Sequence, residues 1–174
     1  MRRLHEGASI YGGSMNEQEL PDPPEFPSSE LIWIGGEIDD VGVTLRFFGD
    51  DLDPQLLSKL LNCQPTDAHR KGDLLPSKRY RRIAKIGLWL FKISNDKEGA
   101  LEEKISRLLD SVSEDLEVWR ELKRFRHDVF CFLGLKDWNR GCSLSPELMK
   151  RLAERDLELG LDIYSSGPDE EPQL

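Results

Sequence analysis

The apolar positions of the chain follow two alternating periods, one of two residues and one of three to four. In "VGVTLRFFG", Val43, Leu45 and Phe47 alternate with Thr44, Arg46 and Phe48, which predicts a strand. "DLDPQLLSKLLN" follows, with Leu56, Leu57, Leu60 and Leu61 on one helical face, Asp53 placed as N-cap and Pro54 at the first helical position. "IGLWLFKIS" predicts a second strand, apolar on both faces. From Ala100 to Phe125, Leu101, Ile105, Leu108, Val112, Leu116, Trp119 and Leu122 recur at intervals that predict one long amphipathic helix. Its acids lie toward the start and its bases toward the end, the favourable sense for the helix dipole. "HDVFCFLGL" predicts a third strand, and "SPELMKRLAERD" a short helix capped by Ser145 with Pro146 next. "LELGLDIYS" closes the pattern, with Leu157, Leu159, Leu161 and Ile163 inward and Glu158, Gly160 and Asp162 outward. "LIWIGGEI" and "GCSL" hold the makings of two further short strands.

The resulting order is β-α-β-α-β-α-β. A doubly wound fold would require near-continuous apolar strands, whereas the first and last strands here alternate. The pattern therefore predicts an α+β fold: a two-layer sandwich, its sheet mainly antiparallel or mixed, with helices on one face and a ferredoxin-like arrangement. Residues 31–165 make up the single expected domain. Residues 1–30 form an expected flexible segment, since "ELPDPPEFPSSE" places four prolines in twelve residues, and 166–174 an acidic tail. With helices on one face only, Phe48, Trp89, Phe91, Phe130 and Phe132 cannot all lie beneath them. Some face the open side of the sheet, where a cover is expected from Leu31, Ile32, Trp33 and Ile34 or from a second subunit.

Charge narrows the function classes. The formal net charge is -9, which opposes general affinity for nucleic acid or anionic membrane and leaves a basic partner protein open. Cys63, Cys131 and Cys142 are odd in number and lack a C-x-x-C spacing, as expected of reduced thiols in a cytoplasmic protein. No window suits a membrane span, and "MRRLHEGASIYGG" has no apolar core of a signal peptide.

"LRFFGDDLDPQLLSKLL", "HRKGD" with the later "GLWLF", and "GCSLSPELMKRLAERDLELGLDIYS" resemble the bacterial family known as domain of unknown function 4279. The likeness runs from about Val41 to Ser165, and the closing strand–cap–helix–strand segment is its most specific part. The resemblance implies a small compact bacterial domain with no catalytic residues to transfer. By analogy with other small bacterial families, an immunity-type role against a toxin is one form its binding could take.

Few constellations carry chemistry. Asp50, Asp51 and Asp53 precede a helix, where capping explains them better than a cation site, and no EF-hand spacing follows. His5, His69 and His127 share no metal spacing, so neither a metal nor another cofactor is expected. Cys131 sits within an apolar strand; Cys142 with His69 is the better thiol pair for a nucleophilic reading, but no local signature supports catalysis. Walker, Rossmann, G-x-S-x-G and H-E-x-x-H motifs are absent from the sequence.

Two stretches suit binding. In "DAHRKGDLLPSKRYRRIAK", Arg70, Lys71, Arg79, Arg81 and Arg82 can hold anions and Tyr80 can stack, while Gly72 suits a turn with positive φ. In "GLKDWNRGCS", Trp138, Asn139 and Arg140 combine residue types common at interface hot spots. The expected function is a non-enzymatic domain that binds another protein or associates with itself, with a phosphorylated small molecule or RNA held at residues 70–85 as the alternative.

Overall fold

The computed structural model describes residues 36–76, 81–93, 99–136 and 139–165. Its centre is a five-stranded sheet in the order β3-β6-β2-β7-β9, formed by β2 (Asp40–Gly49), β3 (Asp67–His69), β6 (Gly87–Ile93), β7 (Arg126–Leu135) and β9 (Glu158–Ser165). β2 is antiparallel to both β6 and β7, β3 is antiparallel to β6, and β9 is parallel to β7. Two pairs of short strands stand outside it: β4 (Leu74–Leu75) with β5 (Arg82–Ile83), and β1 (Gly36–Glu37) with β8 (Arg140–Gly141).

These directions make the layout ferredoxin-like. β2, helix α1 (Pro54–Leu61) and β3 form a β-α-β unit whose parallel strands are split by β6. β6, helices α2 (Leu101–Asp110) and α3 (Leu116–Leu122) and β7 form a second unit, split by β2. Helix α4 (Pro146–Glu154) and β9 extend the sheet at the β7 edge. The expected α+β sandwich with a mixed sheet is therefore the architecture of the molecule.

The strand registers sort side chains onto two faces. Val43, Leu45 and Phe47 of β2 sit beside Ile93, Phe91 and Trp89 of β6 and beside Cys131, Val129 and His127 of β7. Their face joins the buried residues of every helix, including Leu57, Leu61, Ile105, Leu108, Trp119, Leu122, Leu148 and Leu152, in one core. All four helices thus bury their apolar stripes against the same face of the sheet. Phe48, Phe130 and Phe132 point to the other face, which settles how the aromatics divide.

Several polar groups inside this core are matched, whereas Nε of the buried Arg155 has no hydrogen-bond partner among the described residues. Trp89 donates from Nε1 to the Ser58 hydroxyl at 3.0 Å, and Ser58 donates on to the Pro54 carbonyl at 2.8 Å. Lys104 is buried with its ammonium 2.9 Å from the carbonyl of Val41, a strand group lying beyond the end of β6. Asp53 and Ser145 cap α1 and α4 as their sequences predict, accepting from Gln55 N and Leu148 N.

One prediction is corrected. The stripe from Leu101 to Leu122 is carried by two helices, because the chain leaves the helical path at Ser111. The segment "SVSED" supplies side chains that compete for backbone groups. Asp115 caps the new helix by accepting from Glu117 N at 2.9 Å, while Ser113 donates its N–H to Leu61 O and accepts Trp119 Nε1 on its carbonyl. The periodicity survives the break because both helices press on one sheet.

The expected cover, Leu31 to Ile34, lies outside the described residues, as do the segment 1–30 and the tail 166–174. Among the described residues, no helix is long and apolar enough to cross a membrane.

Candidate functional site: a groove beside the basic hairpin

The basic stretch is more ordered than a loop. β3 joins the sheet edge with His69 beside Leu88 and Asp67 beside Leu90. A turn follows in which Asp73 accepts from Arg70 N at 2.7 Å and donates its own N–H to Arg70 O at 3.1 Å. Gly72 occupies the turn at φ +92°, a conformation that a Cβ disfavours. Gly72 N then bonds Ala84 O, and Ala84 N bonds Asp73 O, both at 2.9 Å. Those two bonds fasten the turn to the far arm of the hairpin, where Leu74 pairs with Ile83 and Leu75 with Arg82.

Between this hairpin and the open face of the sheet lies a groove of about 1110 Å³. Phe48, Leu88 and His69 share one row across the sheet and line it, together with Leu74, Ile83 and Ile86. Leu74 is 64% exposed, Ile83 62% and Ile86 41%, so large apolar side chains stand in solvent within a strongly charged segment. Arg82 and Lys85 also line the groove, and Arg81 is exposed beside it.

The cations divide into two groups. Arg70 pairs with Asp53 at 2.8 Å and Lys71 with Asp50 at 2.5 Å, tying the basic turn to the acidic corner before α1. The Arg70 guanidinium and the amide of Gln55 hold the Asp53 carboxyl below its ordinary value. The side chains of Arg81 and Arg82 make no ion pair or hydrogen bond among the described residues. Arg79 and Tyr80 lie outside the described residues.

Farther along the open face, Arg46 meets Asp128 through two bonds of 2.7 and 2.8 Å. Its guanidinium lies 4.2 Å from the centre of the Phe130 ring and 5.5 Å from that of Phe48. The pairing raises the arginine above its ordinary value despite partial burial. This planar pair closes the middle of the face with a neutral, aromatic-clamped unit.

The second predicted stretch stands elsewhere. Arg140 binds Asp39 through Nε at 2.9 Å, and the same carboxylate accepts Lys136 N at 2.9 Å. The cation holds that carboxyl below its ordinary value. Asn139 precedes β8 and accepts from Arg140 on its carbonyl, while Trp138 is outside the described residues. Asp39 directly precedes β2 and Gly49 ends it, so they flank the full length of that ten-residue strand, about 30 Å at the rise of an extended chain. The two predicted stretches are therefore separate places.

Cys142 lies near Cys131, which is paired with Val43 of β2, whereas His69 lies in the row of Phe48, five residues along that strand and three strands across from β7. The sequence-level thiol pair is not brought together. Burial pushes the Cys131 thiol up to about 12, so it is an inert core residue. His127 is buried too, stacked on Phe47 with ring centres 5.3 Å apart and its nitrogens facing the carbonyls of Phe125 and Arg155. Among the described residues no three His, Cys, Asp or Glu side chains are grouped to hold a metal ion.

Phe48, His69, Leu74, Ile83, Ile86 and Leu88 are the groove residues that the charge pattern did not single out. The available signal was apolar: "DLLP" and "RIAKIG" set large aliphatic residues inside a basic run. No curated protein and no solved structure matches the chain. A family model does match, over residues 39–166, with boundaries that enclose the whole five-stranded sheet and its four helices. On that match the chain belongs to the family described as Domain of unknown function (DUF4279).

Proposed function

We propose that this is a non-enzymatic binding domain whose partner is another protein, held in the groove beside the β4–β5 hairpin. The observation that carries the reading is the exposure of Leu74, Ile83 and Ile86 around one groove, with Arg81, Arg82 and Lys85 beside them. Apolar residues ringed by cations suit a segment that offers an aliphatic or aromatic side chain flanked by carboxylates. An overall charge of -9 opposes extended polyanions and leaves short acidic segments able to dock locally. An immunity-type role, in the cytoplasm of a bacterial host, is the specific form we favour. Three free thiols support the compartment.

The test uses Leu74→Asp and Ile83→Asp, which alter exposed side chains and should leave the fold intact. Affinity capture from the native host is compared between wild type and variants by quantitative mass spectrometry. A protein recovered with wild type and depleted at least tenfold with both variants is the expected result. Equal recovery with all three chains would exclude the groove as the contact.

A second reading rests on Arg81 and Arg82, whose exposed side chains make no ion pair or hydrogen bond among the described residues. They could hold a phosphorylated small molecule or RNA instead. Under that reading Arg81→Ala with Arg82→Ala abolishes binding while Leu74→Asp leaves it, and affinity falls steeply with salt.

A further inference from the structure

Arg155 caps the C-terminus of α4, and among the described residues it alone of the arginines is buried, at 5% exposed. Its position is fixed from three sides. Its N–H bonds Leu152 O at 3.1 Å, its carbonyl faces Nε2 of His127 at 3.3 Å, and Nη1 donates to Arg151 O at 3.0 Å. The guanidinium lies 5.7 Å from the centre of the Trp119 ring. Nε is enclosed without a hydrogen-bond partner, and Nη2, on the same edge of the plane, has none among the described residues. Nη2 is not enclosed, so the edge opens to solvent at that end.

Two other arginines show what such an edge holds. Arg46 sets Nε and Nη2 on the two oxygens of Asp128 at 2.7 and 2.8 Å. Arg140 sets the same two atoms on Asp39 at 2.9 and 3.4 Å. Arg155 makes no ion pair among the described residues, although three acids act on it from farther off. Of these, Asp110 is held by Arg151 at 2.5 Å and Glu154 by Lys150 at 3.7 Å, while Glu114 stands exposed in the turn between α2 and α3. Burial, and then the adjacent Arg151, pull the guanidinium below its ordinary value. A buried cation without a counter-ion is costly, and a carboxylate that completes the fork offsets that cost.

We propose that the Nε–Nη2 edge of Arg155, at the end of α4, is a binding site for a carboxylate group brought by another molecule. Shape and charge select the class. The two oxygens of one carboxylate match Nε and Nη2, as they do in both internal pairs. With Arg151 and Lys150 matched to their own acids, the charge left to balance is the single one of Arg155. A carboxylate monoanion balances it, whereas a phosphate dianion would be repelled by the acids around it. The edge lies on the helix-covered side of the sheet, and the groove opens beside β3 on the other face. Neither site depends on the other.

The full chain, labelled with nitrogen-15 in its arginines, tests this by magnetic resonance of the side-chain Nε–H groups. Sodium acetate is titrated against sodium chloride at matched ionic strength. The expected result is a saturable shift of the Arg155 signal with acetate and none with chloride. The signals of Arg46 and Arg140, already on carboxylates, should move less than a tenth as far. An Arg155 signal that does not respond, or that follows chloride equally, overturns the proposal. Inorganic phosphate binding tenfold more tightly than acetate would overturn the carboxylate class. A signal that acetate leaves still but Glu114→Gln displaces would assign the carboxylate to the chain itself, which also overturns an outside ligand. Arg155→Gln should lose the rise in thermal midpoint that acetate gives the wild type; if that variant does not fold, the wild-type titration decides alone. An acetylated peptide with one aspartate, compared with acetate, identifies the source: tenfold tighter binding supports a protein side chain, and equal binding supports a free acid.

Discussion

Asp128 illustrates how one carboxylate can be fixed by what surrounds its partner. It is 4% exposed, and both of its oxygens are taken by Arg46. Removing it alone, as Asp128→Ala, leaves a partly buried guanidinium between Phe48 and Phe130. We expect a loss of about 2–4 kcal/mol in urea unfolding, toward the low side because Arg46 keeps some contact with water. Replacing both members, Arg46→Leu with Asp128→Leu, should recover most of that loss, since a packed apolar pair leaves no orphaned charge. A double variant as unstable as Asp128→Ala would mean that the pair does more than neutralise itself.

Asp53 gives a pH dependence at the same scale. Arg70 and the Gln55 amide depress its folded titration below the ordinary 3.8. A depressed carboxyl contributes stability that is present above its unfolded value and is lost as pH falls through the folded one. Acid below about pH 4 should therefore weaken the tie between the basic turn and α1. In Arg70→Gln the Asp53 carboxyl, followed by carbon-detected magnetic resonance, should titrate higher than in the wild type. An unmoved titration would assign the depression to the helix amide alone.

At the scale of elements, what the sequence made legible depended on how much each segment buries. β2, β6, β7 and β9 were readable because Val43, Leu45, Phe47, Val129 and Cys131 must alternate against one core. α1 and α4 were readable from Asp53–Pro54 and Ser145–Pro146. β3, β4 and β5 were not, because they bury little: Leu74 and Ile83 point into solvent, and Arg82 looks like any surface residue. The helix break at Ser111 escaped periodicity since α2 and α3 present one stripe to one sheet, although "SVSED" carried the capping chemistry. The two binding stretches were legible by residue type, but their separation depends on strand order, which no local pattern encodes.

The hairpin hangs on Gly72. A Cβ there would meet nothing within 4 Å, so the cost of Gly72→Ala lies in backbone conformation at φ +92°. We expect about 1–2 kcal/mol, confined to the turn and hairpin. Amide exchange at Ala84, whose N–H bonds Asp73 O, should speed up while exchange in β2 and β7 stays the same. Faster exchange throughout would show that the hairpin supports the core rather than leaning on it.

For the whole molecule, the division of the sheet into a helix-covered face and a partly open one organises the rest. The covered face consumes most of the apolar residues. What remains is a central Arg46–Asp128 clamp, a groove at one edge and the strand β9, with Glu158 and Asp162, at the other. The acidic background makes the cations of the groove local in effect, able to orient an acidic segment without drawing in long polyanions. The central claim, that a protein occupies the groove, is tested most directly by placing a photo-crosslinking amino acid at Leu74 in the native host. The account predicts one discrete protein adduct, lost when Ile83→Asp is added and absent when the crosslinker is moved to Glu147 on α4. No adduct at Leu74, or the same adduct from both positions, would contradict it.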